Sequence, residues 1–170
     1  MAAEELIVTG GTGWLGSRVV GAFLGQVEDL AAEAPQGARV RALVPANEKP
    51  SILTDMGAET VIGDVRDPDA CSELMRGCQG ATVVHIAGII HPPGRTRHFE
   101  EVNVRGSRNI VTAARAADVK RIVVMSSNSP FGSNPTPTAT FDEDSPYNPY
   151  MGYGRSKYKM ERLEIGRAHV

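Results

Sequence analysis

Cysteine, histidine clusters and metal-ligand spacings are scarce in this chain of 170 residues. Its two cysteines, Cys71 and Cys78, are too few for a disulfide-stabilised secreted scaffold. They lie on one predicted helix, about 10 Å apart, which is too far for a disulfide. The four histidines have no ligand spacing with each other or with the cysteines, so we predict no metal site.

An excess of positive charge and a long apolar run are also missing. Lysine and arginine number 18 against 20 acidic residues, a net charge of −2, which argues against a nucleic-acid-binding surface. No apolar run approaches the roughly 20 residues that span a bilayer, and residues 1–5 do not resemble a signal peptide. We therefore expect a soluble, cytoplasmic protein with neither a nucleic-acid nor a membrane partner.

Short apolar segments alternate with helical patterns along the chain. This alternation predicts an α/β fold, a doubly wound parallel sheet of Rossmann type that binds ligands at the carboxyl ends of its strands. Gln26–Gly37 is expected to extend the first helix into a surface loop, and Pro130–Pro149 to form a loop over the reactive end of a cofactor. The predicted strands are Leu6–Val8, Ala38–Val44, Glu59–Ile62, Ala81–Ala87 and Arg121–Met125, and the clearest later helices are Pro68–Arg76 and Phe99–Ala117.

A glycine-rich turn joins the first strand to the first helix. Gly10, Gly13 and Gly16 stand in the context that a dinucleotide-binding turn requires. Glycine there permits a tight turn, admits a pyrophosphate against bare backbone and allows close packing of helix on strand. The alternative is a glycine-rich turn without a ligand. Asp64, after the third strand, can accept a hydrogen bond from an adenine amino group or simply face solvent.

Tyr153 and Lys157 form the second informative pattern. Residues four apart project from the same helix face, so the lysine ammonium can stabilise a tyrosinate and make the phenol usable for proton transfer. Of the four tyrosines, only Tyr153 has a lysine at this spacing. A purely structural pair is the alternative. The upstream glycine turn favours a nicotinamide-dependent redox enzyme instead.

Six motifs follow one another in a fixed order and cover nearly the whole chain before its last residues. They are Thr9–Gly16, Gly63–Asp67, His85–Gly88, Asn103–Ser107, Ser126–Ser127 and Tyr153–Lys157. In this order of motifs the chain resembles the extended short-chain dehydrogenases/reductases, the NAD-dependent epimerase/dehydratase family. The resemblance implies hydride transfer between a nicotinamide cofactor and a secondary alcohol or ketone. The small-molecule substrate would be a sugar nucleotide or a steroid-like or flavonoid-like compound.

The resemblance also implies a role for each matching residue. Ser127 would hydrogen-bond the substrate oxygen, Tyr153 would exchange its proton and Lys157 would bind the nicotinamide ribose. Asn103 would hold a proton-relay water or the ribose. The remaining implied contacts are Gly10, Trp14 and Leu15 to the pyrophosphate, Asp64 and Val65 to the adenine, and Ile86, Ala87 and Gly88 to the nicotinamide half.

The end of the second strand departs from the family pattern. Val44 is followed by Pro45, with neither the acidic residue that binds the adenosine ribose of NAD nor an arginine suited to NADP. Arg41 and Lys49 can supply some positive charge. The expected cofactor is therefore NAD or NADP.

Residues 1–163 are expected to form an incomplete NAD(P)-binding Rossmann domain, truncated before a C-terminal substrate-binding segment. Residues 164–170 break the helical pattern and are either a non-native tail or a native helix end at Gly166. An incomplete sheet predicts an exposed edge and little activity from these residues alone. The resemblance implies a homodimer at full length. A sensor that binds NAD(P) without turnover is the rival hypothesis, although a sensor has no chemical need for the serine, tyrosine and lysine together.

Overall fold

A computed structural model describes residues 4–91, 97–134 and 136–164 of the chain. The chain divides into two compact units. The sheet unit comprises Met1–Ala87 and Asn109–Met125, and the helical unit comprises Gly88–Arg108 and Ser126–Val170. Residues 165–170, most of the segment expected to be either a tail or a helix end, lie outside the described residues.

The sheet unit is built on five parallel strands in the order β3-β2-β1-β4-β5. This arrangement confirms the predicted α/β fold. Parallel strands place their carboxyl ends at one edge of a sheet, and in this sheet Thr9, at the end of β1, pairs with Leu43 on one side and His85 on the other. The strands are β1 Glu5–Thr9, β2 Arg39–Val44, β3 Glu59–Ile62, β4 Thr82–His85 and β5 Arg121–Val124.

Helices cover the sheet because its central strands are apolar on both faces. Ile7 and Val8 point to opposite faces of β1, and both are fully buried. Asp67 begins α3 by accepting a hydrogen bond from the backbone N–H of Asp69, 3.0 Å away. The helices that begin in this unit are α1 Trp14–Phe23, α2 Ser51–Thr54 and α3 Pro68–Leu74, with a 3₁₀ helix at Glu28–Glu33.

Several predicted boundaries in the sheet unit were wrong. The first helix ends at Phe23, and a separate 3₁₀ helix replaces its expected extension. The helix carrying Cys71 ends at Leu74, so Cys78 lies beyond it. Both cysteines are free and buried, which agrees with the prediction that they form no disulfide. Burial raises the pKa of the Cys71 thiol to about 12.

The helical unit departs further from prediction. The expected single helix Phe99–Ala117 is a π-helix over Phe99–Gly106 that continues into α4, Ser107–Ala116. From Asn109 onward α4 belongs to the sheet unit. A wider helical turn changes which side chains share a face, and it cannot be recognised from a period of 3.6 residues. The unit also contains a 3₁₀ turn at Ser129–Phe131 and α5, Gly152–Glu164.

In the segment predicted as a loop, Pro130–Pro149, the described residues are irregular apart from Pro130 and Phe131, the last two residues of that 3₁₀ turn. Its two ends meet, since the backbone N–H of Asn148 donates to the Pro130 carbonyl at 2.9 Å. Within it the Phe131 ring stacks on Phe141 and on Tyr147. The loop is therefore closed at its base and filled by aromatic rings. Among the described residues, no helix is long and apolar enough to cross a membrane.

Candidate functional site

In the glycine turn of the sheet unit, Gly10 and Gly16 each lie close against neighbouring backbone atoms. Gly10 has φ +73°, and a Cβ placed on it would lie 2.7 Å from the Ala87 nitrogen. A Cβ on Gly16 would lie 2.0 Å from the Gly10 carbonyl oxygen. Both contacts are with backbone, which cannot swing aside. Gly10 and Gly16 are therefore required by the protein's own packing.

Gly13 has a different environment. Its φ of −74° and ψ of 169° suit any residue, and the only atom near a Cβ placed on it would be the Gly10 oxygen at 3.4 Å. It precedes α1 as the N-cap, and no side chain there accepts a hydrogen bond from the first-turn amides. Trp14, the first residue of α1, is 79% exposed. A bare backbone at a helix N-terminus fits the pyrophosphate of a dinucleotide.

A buried hydrogen-bond cluster fixes the neighbouring strand end against this turn. The Thr9 hydroxyl lies 2.6 Å from Nδ1 of His85 and accepts a hydrogen bond from the Ala87 N–H at 3.2 Å. The Ile86 N–H donates to the Thr9 carbonyl at 3.1 Å. Ile86 and Ala87 are thus held beside Gly10, whereas Gly88 belongs to the helical unit. Sequence reasoning assigned no role to Thr9 or His85. The available signals were their positions at the ends of adjacent strands and at the start of two family motifs.

Asp64 and Val65, the predicted adenine contacts, follow β3. Both carboxylate oxygens of Asp64 accept hydrogen bonds from the Arg66 guanidinium, at 2.9 and 2.6 Å. These hydrogen bonds lower the pKa of Asp64, while partial burial opposes the shift. The Val65 carbonyl accepts a hydrogen bond from the Asn109 amide at 3.0 Å. A role for Asp64 toward adenine would therefore be shared with Arg66, and it stays a prediction.

The cationic side chain expected from Arg41 is used elsewhere. Its guanidinium donates to the Arg76 carbonyl at 2.7 Å and pairs with Glu59 at 3.2 Å. It also lies 3.9 Å from Glu5, the first residue of β1. These contacts lie away from the carboxyl ends of the strands, so the suggestion that Arg41 supplies charge to a bound cofactor was wrong.

Tyr153 and Lys157 are one turn apart on α5 in the helical unit. Lys157 is only 4% exposed. Burial lowers the pKa of its ammonium, and the carboxylate of Glu161 opposes that shift. The centroids of the Tyr153 and Phe99 rings are 6.3 Å apart. The spacing predicted for an acid/base pair is therefore realised on a helix, with the lysine enclosed.

Asn103 lies in the π-helix and is fully buried. Its side-chain oxygen accepts a hydrogen bond from the Ile89 N–H at 2.8 Å, and its nitrogen donates to the Ile89 carbonyl at 3.0 Å and to Oγ of Ser156 at 2.9 Å. The Ser156 hydroxyl in turn donates to the Tyr153 carbonyl at 2.7 Å. Both amide protons of Asn103 are thus used within the unit. The expected contact to a relay water or ribose stays a prediction.

Ser127 stands at the start of a tight turn that approaches α5. Its hydroxyl donates to Oγ of Ser129 at 3.0 Å and accepts from the Ser129 N–H at 3.1 Å. A Cβ on Gly154 would lie 2.6 Å from the Ser129 carbonyl oxygen, so glycine at that position permits the approach. The serine turn and the residue after Tyr153 are therefore in direct contact.

Glu161 is a residue that sequence reasoning missed. Its carboxylate accepts hydrogen bonds from the Ser126 hydroxyl and, at 2.6 Å, from the Tyr147 hydroxyl. The first bond involves the neighbour of Ser127, and the second involves the aromatic loop. Its position four residues after Lys157, on the same helix face, was the available signal. Among the described residues, no three His, Cys, Asp or Glu side chains are grouped to hold a metal.

Residues 6–168 match the sequence model of a protein family, described as the "NAD dependent epimerase/dehydratase family". The chain belongs to this family. A curated relative, the uncharacterized protein y4nL of Sinorhizobium fredii, is 47% identical over 160 residues, which are 94% of this chain and 45% of the relative. A putative dihydroflavonol 4-reductase of Synechocystis sp. is 34% identical, over 98% of this chain and 46% of its own length.

A solved structure with a bound ligand is also similar to the chain. It is a short-chain dehydrogenase/reductase superfamily protein from Agrobacterium tumefaciens with bound NAD, 30% identical with a TM-score of 0.77. The match covers 98% of this chain and 45% of the solved one. The chain therefore spans about half the length of the relatives that it matches.

Proposed function

We propose that this chain is the cofactor-binding part of an NAD(P)-dependent oxidoreductase, epimerase or dehydratase of the extended short-chain type. The proposal depends on one observation, the enclosed ammonium of Lys157 one helical turn from Tyr153. Burial of a lysine costs free energy, which favours a role in chemistry over a role in packing.

Cofactor binding is proposed for the glycine turn of the sheet unit. Gly13 is the glycine whose missing side chain the protein itself does not need, and it stands at the N-terminus of α1. Family membership and the NAD bound to the similar Agrobacterium protein support a nicotinamide dinucleotide as the ligand. The first-turn amides would hold its pyrophosphate, with Trp14 and Leu15 alongside.

Acid/base chemistry is proposed for the helical unit. A nicotinamide, when bound, accepts or supplies the hydride. Tyr153 takes the hydroxyl proton when an alcohol is oxidised and returns it when a ketone is reduced. Lys157 stabilises the tyrosinate formed in the oxidative direction, and Ser127 donates a hydrogen bond to the substrate oxygen. Asn103 holds α5 through Ser156, which makes it a positioning residue for Tyr153.

The proposed substrates are molecules with a secondary alcohol or ketone, either sugar nucleotides or steroid-like and flavonoid-like compounds. The name of the Synechocystis relative, a putative dihydroflavonol 4-reductase, supports the flavonoid-like class. An epimerase or dehydratase would return the hydride within the same catalytic cycle, whereas a reductase would transfer it once.

Tyr153→Phe tests the proposal in a version extended to the length of the relatives. We expect turnover to fall by about 10² to 10⁴, because the acid/base group is lost. The dissociation constant for NADH, measured by calorimetry, should change by less than about twofold, about 0.4 kcal/mol. Tyr150→Phe is the matched control, since Tyr150 is 60% exposed. Full turnover in the Tyr153 variant would refute the proposed chemistry and favour the sensor hypothesis.

A further inference from the structure

The sequence does not decide whether the cofactor is NAD or NADP, which differ at the adenosine end. β2 ends at Val44 and is followed by Pro45, so the position that normally discriminates NAD from NADP carries no charge. The two cofactors differ only at the 2′ position of the adenosine ribose, a hydroxyl in NAD and a phosphate in NADP. A charged group close to the glycine turn can therefore discriminate between them.

Glu48 meets both conditions in the sheet unit. Its backbone N–H donates to the Pro45 carbonyl at 2.9 Å, which closes a turn directly after β2. Its carboxylate accepts a hydrogen bond from the hydroxyl of Thr12, which lies between Gly11 and Gly13 in the glycine turn. Because β1 and β2 are parallel neighbours, the segments that follow them leave the sheet at the same edge. The Thr12 hydroxyl thus holds an acidic side chain beside the proposed pyrophosphate turn, although no acid follows the strand directly.

Two cationic side chains, Arg41 and Lys49, could in principle neutralise the charge of this carboxylate. Arg41 is held by Glu59 and the Arg76 carbonyl, near the start of β1. Lys49 is exposed to solvent, as is Glu48. The Thr12 hydroxyl, however, holds the carboxylate of Glu48 at the glycine turn.

We infer that Glu48 selects NAD over NADP by accepting a hydrogen bond from the adenosine 2′-hydroxyl and repelling a 2′-phosphate. This inference rests on the proposed cofactor binding and adds the identity of the cofactor. A carboxylate accepts a hydrogen bond from a ribose hydroxyl, but it offers no donor to a phosphate. Like charges at close range oppose binding of the phosphorylated nucleotide.

Calorimetry with ADP-ribose and 2′-phospho-ADP-ribose tests the inference on the chain of 170 residues. Neither probe carries a nicotinamide, so the comparison is independent of Tyr153 chemistry. We expect ADP-ribose to bind at least about tenfold more tightly, equivalent to about 1.4 kcal/mol. Glu48→Gln should reduce the preference to within about threefold, mainly through tighter binding of the 2′-phosphorylated probe. Glu33→Gln, which removes one exposed negative charge from the 3₁₀ helix, should leave the preference unchanged.

The salt dependence of wild-type binding gives a second measurement that needs no variant. Raising the ionic strength from 0.01 M to 1 M shortens the screening length from about 30 Å to about 3 Å. If the carboxylate dominates, the preference for ADP-ribose should shrink as salt rises. If the Lys49 ammonium dominates, the 2′-phosphorylated probe should lose affinity with salt, and Lys49→Gln should increase the preference for ADP-ribose.

The outcomes separate this inference from the proposed function. Wild-type preference for 2′-phospho-ADP-ribose, or a preference unchanged in E48Q, would overturn the role of Glu48 while leaving dinucleotide binding intact. Failure of both probes to bind to a chain that is folded by circular dichroism would overturn the proposed cofactor site, and the inference with it.

Discussion

Gly13→Ala and Gly16→Ala should have different effects. We expect the first variant to lose affinity for the cofactor and the second to lose stability. The two glycines belong to one turn and are three residues apart. A Cβ on Gly16 would lie 2.0 Å from the Gly10 oxygen and 2.7 Å from the Gly11 Cα. A Cβ on Gly13 would meet the Gly10 oxygen alone, at 3.4 Å. The same added methyl group therefore enters two different environments.

The magnitudes follow from these distances. At Gly16 the contact is about 1.5 Å shorter than the roughly 3.5 Å at which non-bonded atoms rest, so backbone must move. We expect a cost of about 2–3 kcal/mol, less about 1 kcal/mol gained from the helix propensity of alanine. At Gly13 the loss of a favourable N-cap residue and the reduced entropy of the unfolded chain are each worth about 0.5–1 kcal/mol and oppose each other. The free energy of unfolding should change there by less than about 1 kcal/mol.

Gly13→Ala should weaken the binding of NADH although it changes the free energy of unfolding little. Its Cβ would have only the Gly10 oxygen within 4 Å. It would stand at the N-terminus of α1, where the pyrophosphate is proposed to lie. We expect the Gly13→Ala variant to lose at least about tenfold in affinity for NADH, about 1.4 kcal/mol. Trp14 is the only tryptophan and is 79% exposed at the first position of α1, so quenching of its fluorescence reports binding. Urea denaturation followed by circular dichroism gives the free energy of unfolding.

Gly37→Ala is the control for a left-handed glycine without close neighbours. Gly37 has φ +68° and nothing within 4 Å of its Cβ position, so alanine there should cost about 1 kcal/mol and leave NADH affinity unchanged. The reasoning would be refuted if Gly13→Ala bound NADH with wild-type affinity. It would also be refuted if Gly13→Ala were as unstable as Gly16→Ala.

Two further predictions concern the helical unit. Lys157→Met should raise the free energy of unfolding at pH 7 by about 1 kcal/mol, because a buried ammonium is removed. The pKa of Lys157 is lowered by burial, so between its folded value and its usual value of 10.5 the unfolded chain binds more protons and wild-type stability rises with pH. The advantage of the variant should therefore shrink toward pH 10.5 in urea titrations, and a constant advantage would contradict a charge effect. Asn103→Ala and Ser156→Ala should show a coupling free energy of at least about 0.5 kcal/mol in a double-mutant cycle, because their side chains share a hydrogen bond 2.9 Å long. Strictly additive effects would show that this bond contributes nothing to stability.

The features that could be predicted from the sequence were those that depend on residues close together along the chain. Alternating apolar segments predicted five parallel strands, and a glycine turn after the first of them predicted the start of α1. The four-residue spacing of Tyr153 and Lys157 placed both on one helix. The family resemblance followed from the order of the motifs and is confirmed by the family model over residues 6–168.

The π-helical turn at Phe99–Gly106 shows where local patterns failed. Its apolar residues are compatible with an ordinary helix, so sequence periodicity predicted one. The side-chain contacts of Asn103 span 14 residues to Ile89 and 53 residues to Ser156. The contacts that accompany the wider turn are therefore distant in sequence, and no local pattern predicts them.

The sequence by itself determined the fold class, the glycine turn and the helix that carries Tyr153 and Lys157, because each follows from residues within a few positions of one another. The tertiary structure alone decided which glycine serves packing and which leaves space, because that depends on the carbonyl of Gly10 folded back against Gly16. It also decided that Glu48, 36 residues from Thr12, lies at the glycine turn, and that Arg41 does not. Parallel strands bring such distant residues to one edge, and only their pairing reveals which side chains meet there.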